Sequence, residues 1–259
     1  MIYAFSPEGL SRLDACVAAR PLLAFDIDGT LAPIVDRPVD ARLSGDMQAC
    51  LDHLGGRAEI AIITGRAVDD ARRMLTFVPR YLISNHGAEG VPGWEGRSQA
   101  FESIVRAWRT VLDADATLQR CGVLIEDKRY SLSLHFRGVP DIAAAAQAIE
   151  RQVASLQPAP RVIAGKAIAN LLPAGAPDKG DAMRALMAWT RCGQAMYIGD
   201  DDTDENIFRL QLPGVLNVRV EQASGSAAGL YLRHQGEVLD LVRHIARHWP
   251  ADDPMAARP

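Results

Sequence analysis

Asp26 and Asp28 stand two residues apart at the end of the apolar run Leu22-Leu23-Ala24-Phe25, and Gly29-Thr30 follows at once. Carboxylates two apart in extended backbone point the same way, and charges that close need a cation or a shared proton. Gly29 permits a tight turn and a close backbone approach to a ligand. A second run, Met196-Tyr197-Ile198-Gly199, opens onto Asp200-Asp201-Asp202-Thr203-Asp204-Glu205, five acids in six positions. Taken singly, the first is an ordinary Asp-Gly turn. The second is a solvated acidic loop with Asp202 or Thr203 capping a helix. Both, however, lie where a strand ends, the edge at which open α/β sheets bind ligands. If the strands are near neighbours, at least three carboxylates converge, a hard-oxygen set suited to Mg²⁺ and a substrate phosphate. Thr64-Gly65 adds a hydroxyl and a flexible amide ahead of a helix N-terminus, a natural anion site. Lys179, after Pro177-Asp178, opens a helix with an ammonium that can reach a phosphoryl oxygen.

The elements that must position these groups alternate along the chain. Ser6-Pro7-Glu8 reads as an N-cap, a first-turn proline and an early acid, opening a helix over 7–19. A strand over 22–25 follows, unbroken in its apolar character as expected for a strand covered on both faces. Next come a helix over 44–54, a strand over 59–63, a helix over 68–77 and a strand over 81–84. Gly55-Gly56 is expected to end the helix over 44–54 with a left-handed cap. This alternation predicts a parallel sheet with right-handed crossovers. Gly90, Pro92, Gly93 and Gly96 mark a hinge. Beyond it an α-β-β-α-β-β unit is predicted: helix 99–112, strands 123–126 and 130–136, helix 141–156, strands 161–164 and 167–172. Pro173, Gly175 and Pro177 form a second hinge. The first pattern then resumes with helix 179–191, strand 195–198, helix 204–210, strand 215–218 and helix 237–249. One α/β domain, 1–90 and 176–259, is thus split by an insertion, 91–175, large enough for a small domain.

Composition narrows the functional classes. Of 259 residues, 48% are hydrophobic and 23% charged, ample for a packed core. Lys and Arg total 28 against 32 Asp and Glu, so the broad positive field of a nucleic-acid binder is missing. Four scattered cysteines, Cys16, Cys50, Cys121 and Cys192, show no zinc-ligand spacing and suit a reducing compartment. No apolar stretch has the length of a membrane span, and the opening MIYAFSPEGL lacks a basic segment before an apolar run. The expectation is a cytoplasmic globular protein with a small-molecule substrate, no nucleic-acid or membrane partner, and no inferable protein partner.

Phe25 through Leu31, Thr64-Gly65, Lys179 and Gly199-Asp200-Asp201 resemble the four motifs of the haloacid dehalogenase (HAD) superfamily of phosphotransferases. Leu31-Ala32-Pro33-Ile34, Asn85 through Glu89, Glu126-Asp127-Lys128, His135-Phe136-Arg137, Gly165-Lys166 and Gly199 through Glu205 narrow the resemblance to the trehalose-6-phosphate phosphatases, over nearly the whole chain. The resemblance implies a HAD-like Rossmannoid core of parallel sheet flanked by helices, with an inserted α/β cap of the C2 type. It implies an Mg²⁺-dependent hydrolysis of trehalose 6-phosphate, the last step of trehalose biosynthesis. Asp26 would be the nucleophile forming an aspartyl-phosphate, and Asp28 the general acid and base. Thr64 and Lys179 would hold phosphoryl oxygens. Asp26, the backbone carbonyl of Asp28, and Asp200 would be the metal ligands, supported by Asp201 and Asp204. Gly29, Gly65, Arg66, His86, Gly87 and Glu89 would face the substrate from the core. Glu126, Lys128, Arg137, Lys166 and Asn170 would do so from the cap, although charge ladders on an exposed sheet produce similar residues. Asn170 stands where the family usually has Glu, which weakens hydrogen bonding to sugar hydroxyls there and leaves another disaccharide or glycosyl phosphate as an alternative substrate. A non-catalytic sugar-phosphate sensor and a phosphomutase are the other readings. Retention of both Asp26 and Asp28 argues against the sensor.

Overall fold

The computed structural model describes residues 1–251 apart from 36, 95, 97, 98 and 166, so Lys166 lies outside the described residues. The chain forms two compact units, one of Met1–Pro92 with Asp178–Pro259 and the other of Gly93–Pro177. The first begins with β1 (Ile2–Tyr3), α1 (Pro7–Ala18), β2 (Leu22–Phe25), α2 (Gly45–Gly55), β3 (Ile60–Ile63), α3 (Val68–Met74) and β4 (Tyr81–Ile83). The second contains α4 (Gln99–Asp113), α5 (Ala116–Arg120), β5 (Leu124–Asp127), β6 (Leu132–His135), α6 (Ile142–Ser155), β7 (Arg161–Gly165) and β8 (Ile168–Leu172). The first unit then resumes with α7 (Lys179–Thr190), β9 (Ala195–Gly199), α8 (Glu205–Phe208), β10 (Val215–Val220), β11 (Leu230–Leu232) and α9 (Glu237–His248).

The first unit is built on a seven-stranded sheet in the order β1-β11-β10-β9-β2-β3-β4, parallel throughout. Every residue of β2, β3 and β9 is buried, the reason these strands read as continuous apolar runs instead of alternating ones. Phe25 is in register with Ile62 on one side and Ile198 on the other. The three strands therefore end level, and the residues just beyond them, Asp26, Thr64 and Asp200, emerge from one sheet edge. The second unit holds an antiparallel sheet, β5-β6-β8-β7. Leu132, Leu134 and Leu171 pack with Trp108, Leu112 and Ile149 on one face, each such burial being worth about 1.5–3 kcal/mol.

Local signals held well at helix starts. Ser6, Ser44, Asp141 and Asp178 each accept a first-turn backbone N–H, the capping role their short polar side chains perform. Three expectations are corrected. Gly56 caps α2 in the right-handed region, φ −69° and ψ −14°, because Arg57 and Ala58 donate back to the Leu54 carbonyl and continue the turn. Helix α3 stops at Met74, with Leu75 extended. There Gln48 accepts from the Thr76 N–H and donates to the Met74 carbonyl, supplying partners that another helical turn would have supplied. The short elements β1, α5 and β11 join the predicted pattern. Among the described residues, no helix is long and apolar enough to cross a membrane.

Candidate active site

Asp26 leaves β2 with its N–H donated to the Ile198 carbonyl of β9 at 2.9 Å, which ties the acid to the neighbouring strand. It is 4% exposed. Its Oδ1 lies 3.2 Å from the Lys179 ammonium yet has no aligned hydrogen-bond donor. Burial, together with Asp204, Asp201 and Asp200, pushes its carboxyl well above the ordinary range, and Lys179 only partly offsets this.

Lys179 is the first residue of α7, aimed by a capping box in which Asp178 accepts from the Asp181 N–H and Asp181 from the Asp178 N–H. It is 1% exposed. Burial alone would strip its proton, but Asp204, then Asp26 and Asp201, hold the ammonium charged and raise its pKa. Nζ donates to Asp204 Oδ1 at 2.8 Å. Asp204, fully buried, also accepts from Tyr197 Oη at 2.5 Å and from the backbone N–H groups of Asp200 at 2.7 Å and Asp201 at 3.0 Å. With both oxygens occupied, Asp204 is the organiser of the loop.

The acidic run is sorted by its own backbone. Asp201 Oδ1 accepts from the N–H and hydroxyl of Thr203 and from the Asp204 N–H. Burial opposes its ionisation, but Lys179 and these hydrogen bonds prevail and lower its carboxyl to about 2. Neither Thr203 nor Asp202 caps α8; Asp204 occupies that position without a side-chain cap bond. Asp200 accepts one hydrogen bond, 3.2 Å from the Thr30 hydroxyl. Burial first, then Asp204 and Asp201, push it up to about 8. Gly29 makes room for it: with φ +76°, a Cβ there would sit 2.0 Å from Asp200 Oδ2.

Asp26, Asp200 and Asp204 each offer a carboxylate oxygen within 4.8 Å of the others. Asp26 and Asp204 pair with the Lys179 ammonium, whose charge also acts on Asp200 and Asp201. The buried Asp26 oxygen without a donor and the raised pKa of Asp200 are what two carboxylates show when a hard cation is their natural partner. The residues present fit Mg²⁺, with Asp26 and Asp200 as the side chains open to it.

Asp28 stands outside this cluster. Its side chain is 41% exposed and receives a two-pronged bond from Arg66, Nε to Oδ2 and Nη2 to Oδ1, both 2.6 Å. Arg66 Nη1 also pairs with Asp70. The arginine expected to face substrate therefore braces the expected acid and base. Thr64 is buried and accepts from the Arg66 N–H at 3.3 Å. Gly65 lies against the His86 ring, where a Cβ would come 2.3 Å from the ring carbon. His86 and Gly87 belong to a short 3-10 turn, Asn85–Gly87. Glu89 accepts from Ser84 at 3.1 Å and Asn85 at 2.8 Å, so it buttresses that turn.

In the second unit, Glu126, Ser133, Asn170 and Ile163 are in register across the four strands and so share the face opposite the helices. Glu126 Oε2 lies 2.8 Å from His135 Nε2 and 4.0 Å from Lys128 Nζ. Asn170 accepts from Ser133 at 2.6 Å and donates to the Ile163 carbonyl at 3.4 Å. Arg137 follows β6 and is exposed. Sequence reasoning missed the contacts of Tyr197 and Asp70, and quoted Thr30 and His135 in its motifs without giving them a role. Only Asp70, one helical turn after Arg66, carried a local signal.

The sequence model for trehalose-phosphatase matches residues 24–229. "Trehalose-phosphate phosphatase" of Mycobacterium tuberculosis is 30% identical over 93% of the chain. "Probable trehalose-phosphate phosphatase 9" of Oryza sativa subsp. japonica is 28% identical over 92%. The chain spans 65% of the mycobacterial relative's length and 74% of the rice protein's. Among solved structures, the C-terminal domain of Candida albicans trehalose-6-phosphate phosphatase superposes with a TM-score of 0.70 at 22% identity, covering 92% of this chain and 96% of that one. The fold is that of the HAD-like phosphatases, and the chain belongs to the trehalose-phosphatase family.

Proposed function

We propose that the protein hydrolyses trehalose 6-phosphate to trehalose and phosphate through an aspartyl-phosphate on Asp26. The observation that carries this is the Asp26 carboxylate, buried, lacking a hydrogen-bond donor at Oδ1 and set beside a charged lysine. An Asp26 oxygen attacks phosphorus as the bond to the sugar oxygen breaks, and Asp28 delivers a proton to that oxygen. Asp28 then takes a proton from water, which attacks the same phosphorus and frees Asp26. Lys179 and Thr64 hold the non-bridging oxygens, so the site works mainly by positioning and charge stabilisation. Arg66 sets the direction of the Asp28 carboxylate before the substrate arrives. Mg²⁺, held by Asp26, the Asp28 carbonyl and Asp200 with Asp201 and Asp204 in support, would neutralise the charge of the phosphate.

The Gly93–Pro177 unit acts as the cap that selects the sugar, through Glu126, Lys128, Arg137, Lys166 and Asn170, with Gly29, Gly65, Arg66, His86, Gly87 and Glu89 lining the core side. Its row of Glu126, Ser133 and Asn170 across three adjacent strands supports this reading. The uncharged Asn170, engaged by Ser133 and Ile163, favours one second reading, in which the substrate is another disaccharide or glycosyl phosphate. Four free cysteines fit a reducing, cytoplasmic setting. The test is phosphate release from trehalose 6-phosphate, sucrose 6-phosphate and glucose 6-phosphate, with and without chelator. Preferred turnover of the first, abolished by chelation, is expected. Equal turnover of a competitor transfers the assignment to the second reading, and release that survives chelation removes the metal.

A further inference from the structure

Helix α9 bears a group of titratable side chains unrelated to the motifs above and outside residues 24–229 that the family shares. His244 and His248 lie one turn apart, their rings stacked with centroids 4.2 Å apart and 31° between planes. Asp14 of α1 reaches the first of them, its Oδ1 lying 2.7 Å from His244 Nε2. One ligand atom from each of the three residues lies within 4.8 Å of the other two. His244 is largely buried, while Asp14 and His248 are open to solvent, so an ion has a path in and two of its ligands can adjust.

We infer that Asp14, His244 and His248 form a binding site for a transition-metal ion of the zinc class, clasping α1 to α9. Imidazoles at i and i+4 present their nitrogens on one helix face, and two imidazoles with one carboxylate suit zinc, copper or nickel far better than magnesium. Ligands about 2.1 Å from a tetrahedral ion stand about 3.4 Å from each other, so small rotations of the exposed Asp14 and His248 close the set. His248 is already oriented. Its Nδ1 donates to the His244 carbonyl at 2.9 Å, which leaves Nε2 as the lone-pair nitrogen, the outer hydrogen bond that metal-binding histidines characteristically make. The ion would take the place of the proton shared by His244 and Asp14. A hydrogen bond between Asp14 and His244 would by itself hold the two helices, but it gives no role to the second imidazole stacked on the first. Arg247 flanks the site, and Arg243, paired with Asp46 and Asp240, lies one turn away. Their charge limits affinity, so micromolar binding is the expectation.

The experiment is a zinc titration of the metal-stripped full chain in saturating Mg²⁺, followed by calorimetry, with Cu²⁺ electron paramagnetic resonance as the ligand-type readout. One equivalent of Zn²⁺ is expected to bind and raise the melting temperature by several degrees. The Cu²⁺ signal should carry nitrogen hyperfine splitting, which the all-oxygen cluster around Asp26 cannot produce. His248→Ala, at an exposed position, should weaken Zn²⁺ binding at least about tenfold and leave phosphate release in Mg²⁺ unchanged. Asp14→Asn should also weaken it. The inference fails if Zn²⁺ does not bind below millimolar concentration. It fails equally if binding survives His248→Ala and disappears in Asp200→Asn, or if copper shows oxygen ligands alone.

Discussion

Two polar networks, one in each unit, are built on opposite plans. Around Asp26 the partners come from β2, β9 and α7, are buried, and share atoms: Asp204 alone binds Lys179, Tyr197 and two backbone amides. In the Gly93–Pro177 unit, Glu126, Ser133 and Asn170 lie on adjacent strands and pair with immediate neighbours. Removing one member of the first network strands a buried charge, whereas removing one from the second loosens a single cross-strand contact. The difference predicts that the first region sets whether phosphate is released, and the second only from what.

Asp26→Asn is the strongest test, since it takes away the carboxylate proposed to attack phosphorus. Phosphate release should fall by at least about 10⁴-fold with the circular dichroism spectrum retained. Residual activity near the wild-type level would break the comparison at its centre. Lys179→Met should cost nearly as much activity and in addition about 3–5 kcal/mol of stability, measured by urea unfolding, because Asp204 and Asp26 then lose their buried counter-charge. Adding Asp204→Asn should return part of that stability without returning activity. Asp28→Asn should slow turnover by about 10²–10⁴-fold with little change in melting temperature, as the group is half exposed.

Asp200 sharpens the comparison through pH. Without metal its carboxyl sits at about 8 in the fold, against about 3.9 in an unfolded chain. Between those values the folded state keeps a proton that the unfolded state has released, so this group lowers stability as pH rises. Asp200→Asn should therefore match the wild type near pH 4 in chelator. At pH 8.5 it should be more stable by up to about 5 kcal/mol, while losing activity in Mg²⁺. A variant that melts below the wild type at pH 8.5 in chelator contradicts this. The smallest effect belongs to the second unit: Asn170→Ala should cost about 1 kcal/mol of stability by leaving Ser133 unpartnered. It should change KM for the sugar phosphate more than kcat.

What could be read in advance follows the same division. The ends of β2 and β9 were legible because fully buried parallel strands make unbroken apolar runs, and an acid directly after one stands out. The ranking within Asp200 to Glu205 came only from the family resemblance, because five acids in six positions look alike in composition. Only the fold shows that Asp204 is enclosed and that Asp201 is consumed by the turn through Thr203. Tyr197 lay hidden inside an apolar strand, its hydroxyl needing a partner seven residues on. The bracing of Asp28 by Arg66 joins positions 38 residues apart, and nothing in the spacing of either predicts it. The two-residue β1 and three-residue β11 were too short for any periodicity.

The pairing of β2 with β9 carries a consequence for biosynthesis. Thr30 and Asp200, which touch, are 170 residues apart in the chain, with the whole second unit threaded between them. A polypeptide that has left the ribosome only as far as β8 owns Asp26 and Asp28 but neither Lys179 nor Asp200. On the proposed chemistry, catalytic competence would arrive late and all at once, when residues 178–232 have been translated and their strands slot in beside β2. A truncated product is then inert, whatever native structure its front half attains.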